Sequence, residues 1–196
     1  MSKEIIRTFI AVELTPQVKN SLGGLQQILK RTGADVKWVK PENIHLTLKF
    51  LGETRVEDLD KINEVMDKIA KDFNRFEVSL SDLGAFPSEN APRVIWVGLD
   101  DRNNLCSKIA ERLEEEMQHL GFKKESRRFK PHLTLGRIRS PMNRLKLVEE
   151  IKSQQGYFKR GETLQIQISS LSLIKSTLTP GGPIYETLFK TNLNTA

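Results

Sequence analysis

The chain has 196 residues, 38% hydrophobic and 29% charged, a size and balance that suit one substantial folded unit and exclude a disordered chain. Its formal charge of +6 favours anionic partners, of which nucleic acid is the commonest. The opening Met1-Ser2-Lys3-Glu4 leads into only a short apolar stretch, so neither a signal peptide nor a spanning helix is expected, and the chain reads as cytoplasmic with no membrane partner.

Residues 5–14 read as a central strand, apolar on both alternating faces. Thr15 then supplies an N-cap and Pro16 a first turn, and Val18, Leu22, Leu25 and Leu29 repeat at helical spacing until Gly33, weakened by Gly23-Gly24. Short strands follow at 36–39 and 44–51. Thr54 with Glu57 forms a capping-box pattern ahead of a helix marked by Leu59, Ile62, Met66, Ile69 and Phe73.

Strands at 76–80 and 93–99 flank a loop rich in turn formers, Gly84, Pro87, Ser88, Asn90 and Pro92. A third helix carries Leu105, Ile109, Leu113, Met117 and Leu120, with Gly121 as its stop. The single cysteine, Cys106, falls on that apolar stripe and reads as a buried thiol. A strand at 132–138 comes next, then a helix opened by Ser140-Pro141 and running through Leu145, Val148 and Ile151 to Gly156.

Leu164, Ile166 and Ile168 alternate in a further strand, and strands at 171–175 and 184–189 close the chain around the turn Thr179-Pro180-Gly181-Gly182-Pro183. Strands alternate with four helices in a mixed order and no linker divides them, which predicts an α+β fold over one domain, 1–196. Two related strands, each followed by a helix, point to an internal duplication and two lobes with a rough two-fold.

Those two strands carry the chemistry. Only three histidines occur, and two open the same word, His45-Leu46-Thr47-Leu48 and His132-Leu133-Thr134-Leu135. A repeated His-x-Thr from so few histidines arises by chance in about one sequence in a hundred, and the matching leucines make it rarer. In a strand the histidine and threonine point one way and both leucines the other.

Where two such strands meet, two imidazoles and two hydroxyls converge on a volume the size of a phosphate. Cleaving a phosphodiester needs a base for the attacking oxygen and an acid for the leaving one, and histidine serves as either near neutral pH. Threonine hydroxyls suit the non-bridging oxygens. One motif alone reads as a core or edge histidine; the identical pair argues against that. Two histidines without a cysteine or acid cluster make too few ligands for zinc, so no metal and no cofactor is expected.

Lys123, Lys124, Arg127, Arg128 and Lys130 crowd before the second motif with Phe129 among them, and Arg137 and Arg139 follow it. This is a candidate RNA-binding margin or an exposed basic loop. Trp38 and Phe50 suit base stacking or core packing equally. His119, near the end of the third helix, suits the helix dipole and receives no chemical role.

The two motifs, with Arg7-Thr8-Phe9-Ile10-Ala11, Lys37-Trp38-Val39, Leu48-Lys49-Phe50-Leu51-Gly52-Glu53, Pro131, Gly136-Arg137, Ser176, Gly182 and Tyr185, resemble the 2H phosphoesterase superfamily over nearly the whole chain. The likeness is to its RNA 2',3'-cyclic phosphodiesterase branch, also called LigT-like or 2'-5' RNA ligase.

The resemblance implies two pseudosymmetric, antiparallel-rich sheets lining a central cleft with helices outside, acting on RNA with 2',3'-cyclic phosphate ends; a monomer is expected, though the sequence itself does not fix the oligomeric state. It implies hydrolysis to a 2'-phosphomonoester, with reverse 2'-5' joining in some members. It makes His45 the proton donor, His132 the proton acceptor, and Thr47 and Thr134 the phosphate ligands; identical motifs do not themselves divide acid from base. Two alternatives stand beside it: a cyclic phosphodiesterase for a small nucleotide, and an RNA- or nucleotide-binding module without turnover.

Overall fold

The computed structural model describes residues 4–89, 91–159 and 164–195. Its elements run β1 (Ile5–Glu13), α1 (Pro16–Lys30), β2 (Val36–Trp38), β3 (His45–Arg55), α2 (Leu59–Lys71), β4 (Phe76–Phe86), β5 (Val94–Asp100), α3 (Leu105–His119), β6 (His132–Ile138), α4 (Arg144–Ser153), β7 (Gln165–Ile168), β8 (Ser170–Thr179) and β9 (Gly182–Asn192). This is the α+β class read from the sequence. No helix among the described residues is long and apolar enough to cross a membrane.

The strands pair antiparallel in the order β7-β4-β5-β6-β3-β1-β8-β9, with β2 also on β6. The two halves meet where β3 joins β6, through one residue pair, Leu46 with Leu133. The expected pair of sheets is therefore one curled ladder with a narrow waist. Both waist leucines are fully buried, each burial worth about 1.5–3 kcal/mol.

The motif strands repeat each other in detail. Against β1, β3 pairs Thr47 with Ala11 and Lys49 with Ile10, so Leu48 is an extra residue. Against β5, β6 pairs Thr134 with Trp96 and Gly136 with Ile95, so Leu135 is the extra residue. A β-bulge follows each His-Leu-Thr and shifts the facing of everything beyond it. Lys49 is thereby buried and Phe50 turned outward, at 49% exposure.

Each half also lends a helix to the other. From α1, the Gln26 side chain donates to Leu135 O at the β6 bulge (2.9 Å) and to Val39 O (2.7 Å). α3 packs on β3, and its Glu114 pairs with Lys49 beside the β3 bulge.

Four local expectations need correcting. Thr54 does not cap α2: it lies in β3 as a buried residue and shares a 2.7 Å hydrogen bond with Thr8 Oγ1, and a 3-10 turn at Val56–Asp58 precedes the helix. Gly84 is not a turn residue: β4 continues to Phe86, and a Cβ on Gly84 would lie 2.5 Å from the Trp96 ring opposite. α1 stops at Lys30 rather than running to Gly33, which takes the left-handed conformation. α4 begins at Arg144, because Asn143 at φ +51° turns the chain and donates to Gly33 O. Asn90 of the predicted loop lies outside the described residues.

Thr15 does cap α1, accepting from the Val18 N–H at 3.4 Å, and Gly121 at φ +92° follows α3. Cys106 is buried on the inner face of α3, and burial together with the adjacent Asp101 carboxylate pushes its thiol up to about 12.

Candidate active site

The motif histidines sit at the waist. Leu46 faces the core beside Leu133, and extending that antiparallel register sets His45 beside Thr134 and Thr47 beside His132. All four side chains then share the face opposite the leucines. A cleft of about 540 Å³ on this face is lined by His45, Thr47, Phe50, Thr134, Arg137 and Tyr185, among others. His132, on the same strand as the lining residues Thr134 and Arg137, is not itself part of that lining. A separate cavity of about 450 Å³, bordered by Phe76, Asp100 and Arg102, contains no motif residue.

Each histidine is oriented by the same device. His45 Nδ1 lies 2.8 Å from Asn43 O, and His132 Nδ1 lies 2.6 Å from Lys130 O. A carbonyl only accepts, so each Nδ1 carries the hydrogen and each Nε2 is the nitrogen left for chemistry. Asn43 is itself tied down, its side-chain amide donating to Pro183 O at 2.9 Å in the β8–β9 hairpin.

Aromatic rings fix the imidazole planes. Phe9 stacks on His45 at 4.7 Å, and Tyr185 meets both rings edge-on. Phe86 and Trp96 stand edge-on to His132 at 5.1 and 6.3 Å, and Lys130 Nζ lies 4.7 Å above the Trp96 ring.

The electrostatics of the two sites differ. Burial lowers the pKa of both histidines by disfavouring the imidazolium, and the backbone carbonyl opposes this in each. The remaining charges around His132 are cations, Arg137 and Lys130, which lower it further. Around His45 they are mixed: Lys19 lowers and Glu13 raises. Burial raises the Tyr185 phenol, with Arg137 and Arg7 acting against it.

Of the proposed RNA ligands, Trp38 and Arg137 line the cleft, and Lys130 covers the rings beside His132. Arg128 is exposed outside the cleft lining, and Phe129 packs against the hydrophobic core, which commits its ring to packing rather than stacking. His119 is exposed at the end of α3. Sequence reasoning did not anticipate Phe86 and Trp96 around His132, or the carbonyl of Asn43. No local signal marks them: every residue has a carbonyl two positions before it, and the two rings come from strands distant in sequence.

Comparison with known proteins places the chain among relatives. The model of the family described as LigT like Phosphoesterase matches twice, over residues 12–96 and 97–185, one match for each motif. A Methanothermobacter thermautotrophicus protein named RNA 2',3'-cyclic phosphodiesterase is 37% identical over 180 residues, covering 92% of this chain and 95% of the relative. A Thermotoga maritima protein of the same name is 33% identical and covers 94% of each. Among solved structures, the Thermus thermophilus protein TT0787 superposes with a TM-score of 0.78 at 27% identity, over 97% of this chain and 99% of that one. The apo form of E. coli LigT shares the fold, with a TM-score of 0.75 at 22% identity over 98% and 99% of the two chains. The doubled match, which together spans most of the chain and takes one motif in each copy, shows that this chain belongs to the LigT-like phosphoesterase family.

Proposed function

We propose that the protein hydrolyses RNA 2',3'-cyclic phosphate ends to 2'-phosphomonoesters without a metal, by an acid–base pair of histidines acting as one site across both lobes. The observation that carries this is the matched pair of imidazoles at the waist, each with Nδ1 held by a main-chain carbonyl and Nε2 left for chemistry. The names of the curated relatives supply the substrate class.

In this reading the cyclic phosphate sits between the motifs, with Thr47 and Thr134 donating to its non-bridging oxygens. His132 Nε2 takes a proton from water as the water oxygen attacks phosphorus. The bond from phosphorus to the 3' oxygen breaks, and His45 Nε2–H protonates that oxygen. The flanking cations Arg137 and Lys130 support His132 as the member held neutral, whereas the charges around His45 are mixed, Lys19 acting ahead of Glu13, so the donor role of His45 rests on the resemblance to the family. A 5' hydroxyl in place of water opens the ring in the same direction, with His132 taking its proton and His45 protonating the departing 3' oxygen, and the product is a 2'-5' linkage; in the reverse cleavage the two residues exchange roles.

Trp38 and Arg137 along the cleft, with Lys130 and Arg128 beyond His132, suit the terminal nucleotide and its backbone. The single buried thiol fits a reducing, cytoplasmic setting. One domain and one subunit suffice, because both halves of the site come from one chain.

The test is an oligonucleotide ending in a 2',3'-cyclic phosphate, treated in the presence of a chelator, with the product identified by phosphorus NMR. A 2'-phosphate is expected. Binding without opening would leave a nucleotide-binding module, and a 3'-phosphate product would reverse the assignment of the leaving oxygen.

A further inference from the structure

The duplication extends beyond the motifs. Val36 stands nine residues before His45, and Lys123 stands nine before His132. The segment at the first position is β2, which pairs with β6 of the other half at Val36, Lys37 and Trp38 and lines the cleft. The segment at the second position, residues 123–130, makes no ladder; instead it touches β3 of the other half through side chains. Lys49 Nζ, in β3, donates to Lys123 O at 2.7 Å.

That lysine is unusual. Its side chain is 1% exposed and pairs at 2.9 Å with Glu114 of α3, and the same Glu114 oxygen accepts from the Glu125 N–H at 2.6 Å. One buried ion pair therefore holds two backbone groups of an irregular segment. At the segment's ends Phe122 and Phe129 pack against the core, and Lys130 O binds His132. Between these anchors Lys123, Lys124, Arg127 and Arg128 are exposed, as is Lys130 at the end nearest His132.

A buried ion pair adds little net stability over apolar residues of the same volume, so its presence here calls for a positional reason. The counterpart position in the other half shows what that reason is. Gly136 occupies the place equivalent to Lys49, and the missing side chain makes room for β2, whose Val36 Cγ1 would be 2.6 Å from a Cβ there. Where one half clears space for a wall built as a strand, the other supplies a lysine that holds a wall built as a strap.

Resting on the proposed activity, we infer that residues 123–130 are the second wall of the site, which takes the RNA chain beyond the cyclic end, and that Lys49 and Glu114 are positioning residues for it. The cleft holds the terminal nucleotide, and the strap's cations meet the backbone phosphates of longer substrates. A cyclic mononucleotide uses the first wall only, whereas an oligonucleotide uses both. Lys49 never touches the substrate; it acts by fixing where the strap's backbone runs.

The experiment compares kcat/KM for a twelve-residue RNA ending in a 2',3'-cyclic phosphate with that for a cyclic mononucleotide, in wild type, Lys49→Met, Glu114→Gln and the surface variant Lys123→Ala/Lys124→Ala/Arg127→Ala/Arg128→Ala. The oligonucleotide-to-mononucleotide ratio is expected to fall about tenfold in each, through KM for the oligonucleotide. Fluorescence anisotropy with an uncleavable twelve-residue RNA reads the same contact without turnover, and the surface variant is expected to flatten the salt dependence of log Kd by about 2–3.

If Lys49→Met folds poorly, Glu114→Gln and the surface variant still give the answer. A ratio that stays at its wild-type value in the surface variant overturns the strap as a wall. A ratio that falls there but stays unchanged in both Lys49→Met and Glu114→Gln, or equal losses on both substrates in those two, overturns the positioning role. Should wild type open neither substrate, the phosphodiesterase reading fails, while anisotropy still decides whether the strap binds RNA.

Discussion

Replacing Gly136 by alanine tests how tightly the β2 wall is seated. The new Cβ would lie 2.6 Å from Val36 Cγ1, 3.0 Å from Trp38 Cε3 and 3.4 Å from Lys37 O. Carbon contacts are comfortable at about 3.5–4.0 Å, so β2 must back away by about 1 Å. Its three ladder positions, the Val39 N–H bond to Leu135 O and the Gln26 bond to Val39 O all resist that movement. Overpacking costs about 1–3 kcal/mol, offset by about 0.5–1 kcal/mol from replacing a strand glycine, for a net loss of about 1–2 kcal/mol. In a chain of this length that lowers Tm by about 2–8 °C.

Trp38 and Thr134 both move with the displaced ladder, and a 1 Å misplacement at a reacting site costs up to about 100-fold in rate, so kcat/KM is expected to drop about 10- to 100-fold. Thermal denaturation and steady-state kinetics measure the two effects. Gly24→Ala is the control: the nearest atom to its Cβ is Tyr157 Oη at 3.7 Å, so relief of helical glycine raises stability by about 0.5–1 kcal/mol. A Gly136→Ala protein with wild-type Tm and wild-type kcat/KM would refute the reasoning.

Other outcomes follow from the same geometry. Because burial depresses both imidazoles below their usual 6.5, the free enzyme loses its required single proton as pH rises above that value; kcat/KM should peak below pH 6.5 and fall toward pH 8, and a profile still rising through pH 8 contradicts the shifts. Bound phosphate favours the imidazolium, so the alkaline limb of kcat should lie higher than that of kcat/KM. Thr47→Ala and Thr134→Ala should each cost about 100-fold in kcat, from loss of a donor to the transition state; equal loss through KM alone would make them ground-state ligands instead. Leu46→Ala at the waist should destabilise by about 2–5 kcal/mol in denaturant titration. The Cys106 thiol should react with a disulfide reagent only on unfolding, so fast labelling of the native protein would contradict its burial.

The residues differ in how readable they were. His45, Thr47, His132 and Thr134 were legible because a repeated word with period-two facing specifies one polar face. The strand at 132–138 and the central position of β1 were legible for the same reason, as periodicity and apolar content alone locate them. The bulges were not, since one extra residue in a ladder leaves no mark in local pattern; alternation puts Lys49 on the cleft face and Phe50 in the core, the reverse of what the bulge at Leu48 produces.

Gly84 misled because glycine serves both turns and close approaches, and only the partner Trp96 across the ladder decides between them. Thr54 misled similarly: a capping-box spacing is local, and a buried hydroxyl partner 46 residues away on Thr8 outcompetes it. The brackets Phe86 and Trp96 lie on strands distant in sequence, so their convergence on His132 belongs to topology rather than to any motif.

The central claim is that His45 and His132 work as a single acid–base unit. Its most direct test is kcat for a 2',3'-cyclic phosphate RNA end, with chelator present, in His45→Ala, His132→Ala and the double variant, with RNA binding measured alongside. The account predicts that either single change abolishes nearly all turnover, that the double change costs little more, and that binding persists. Losses that multiply in the double variant, or either single variant retaining near-wild-type turnover, would contradict it.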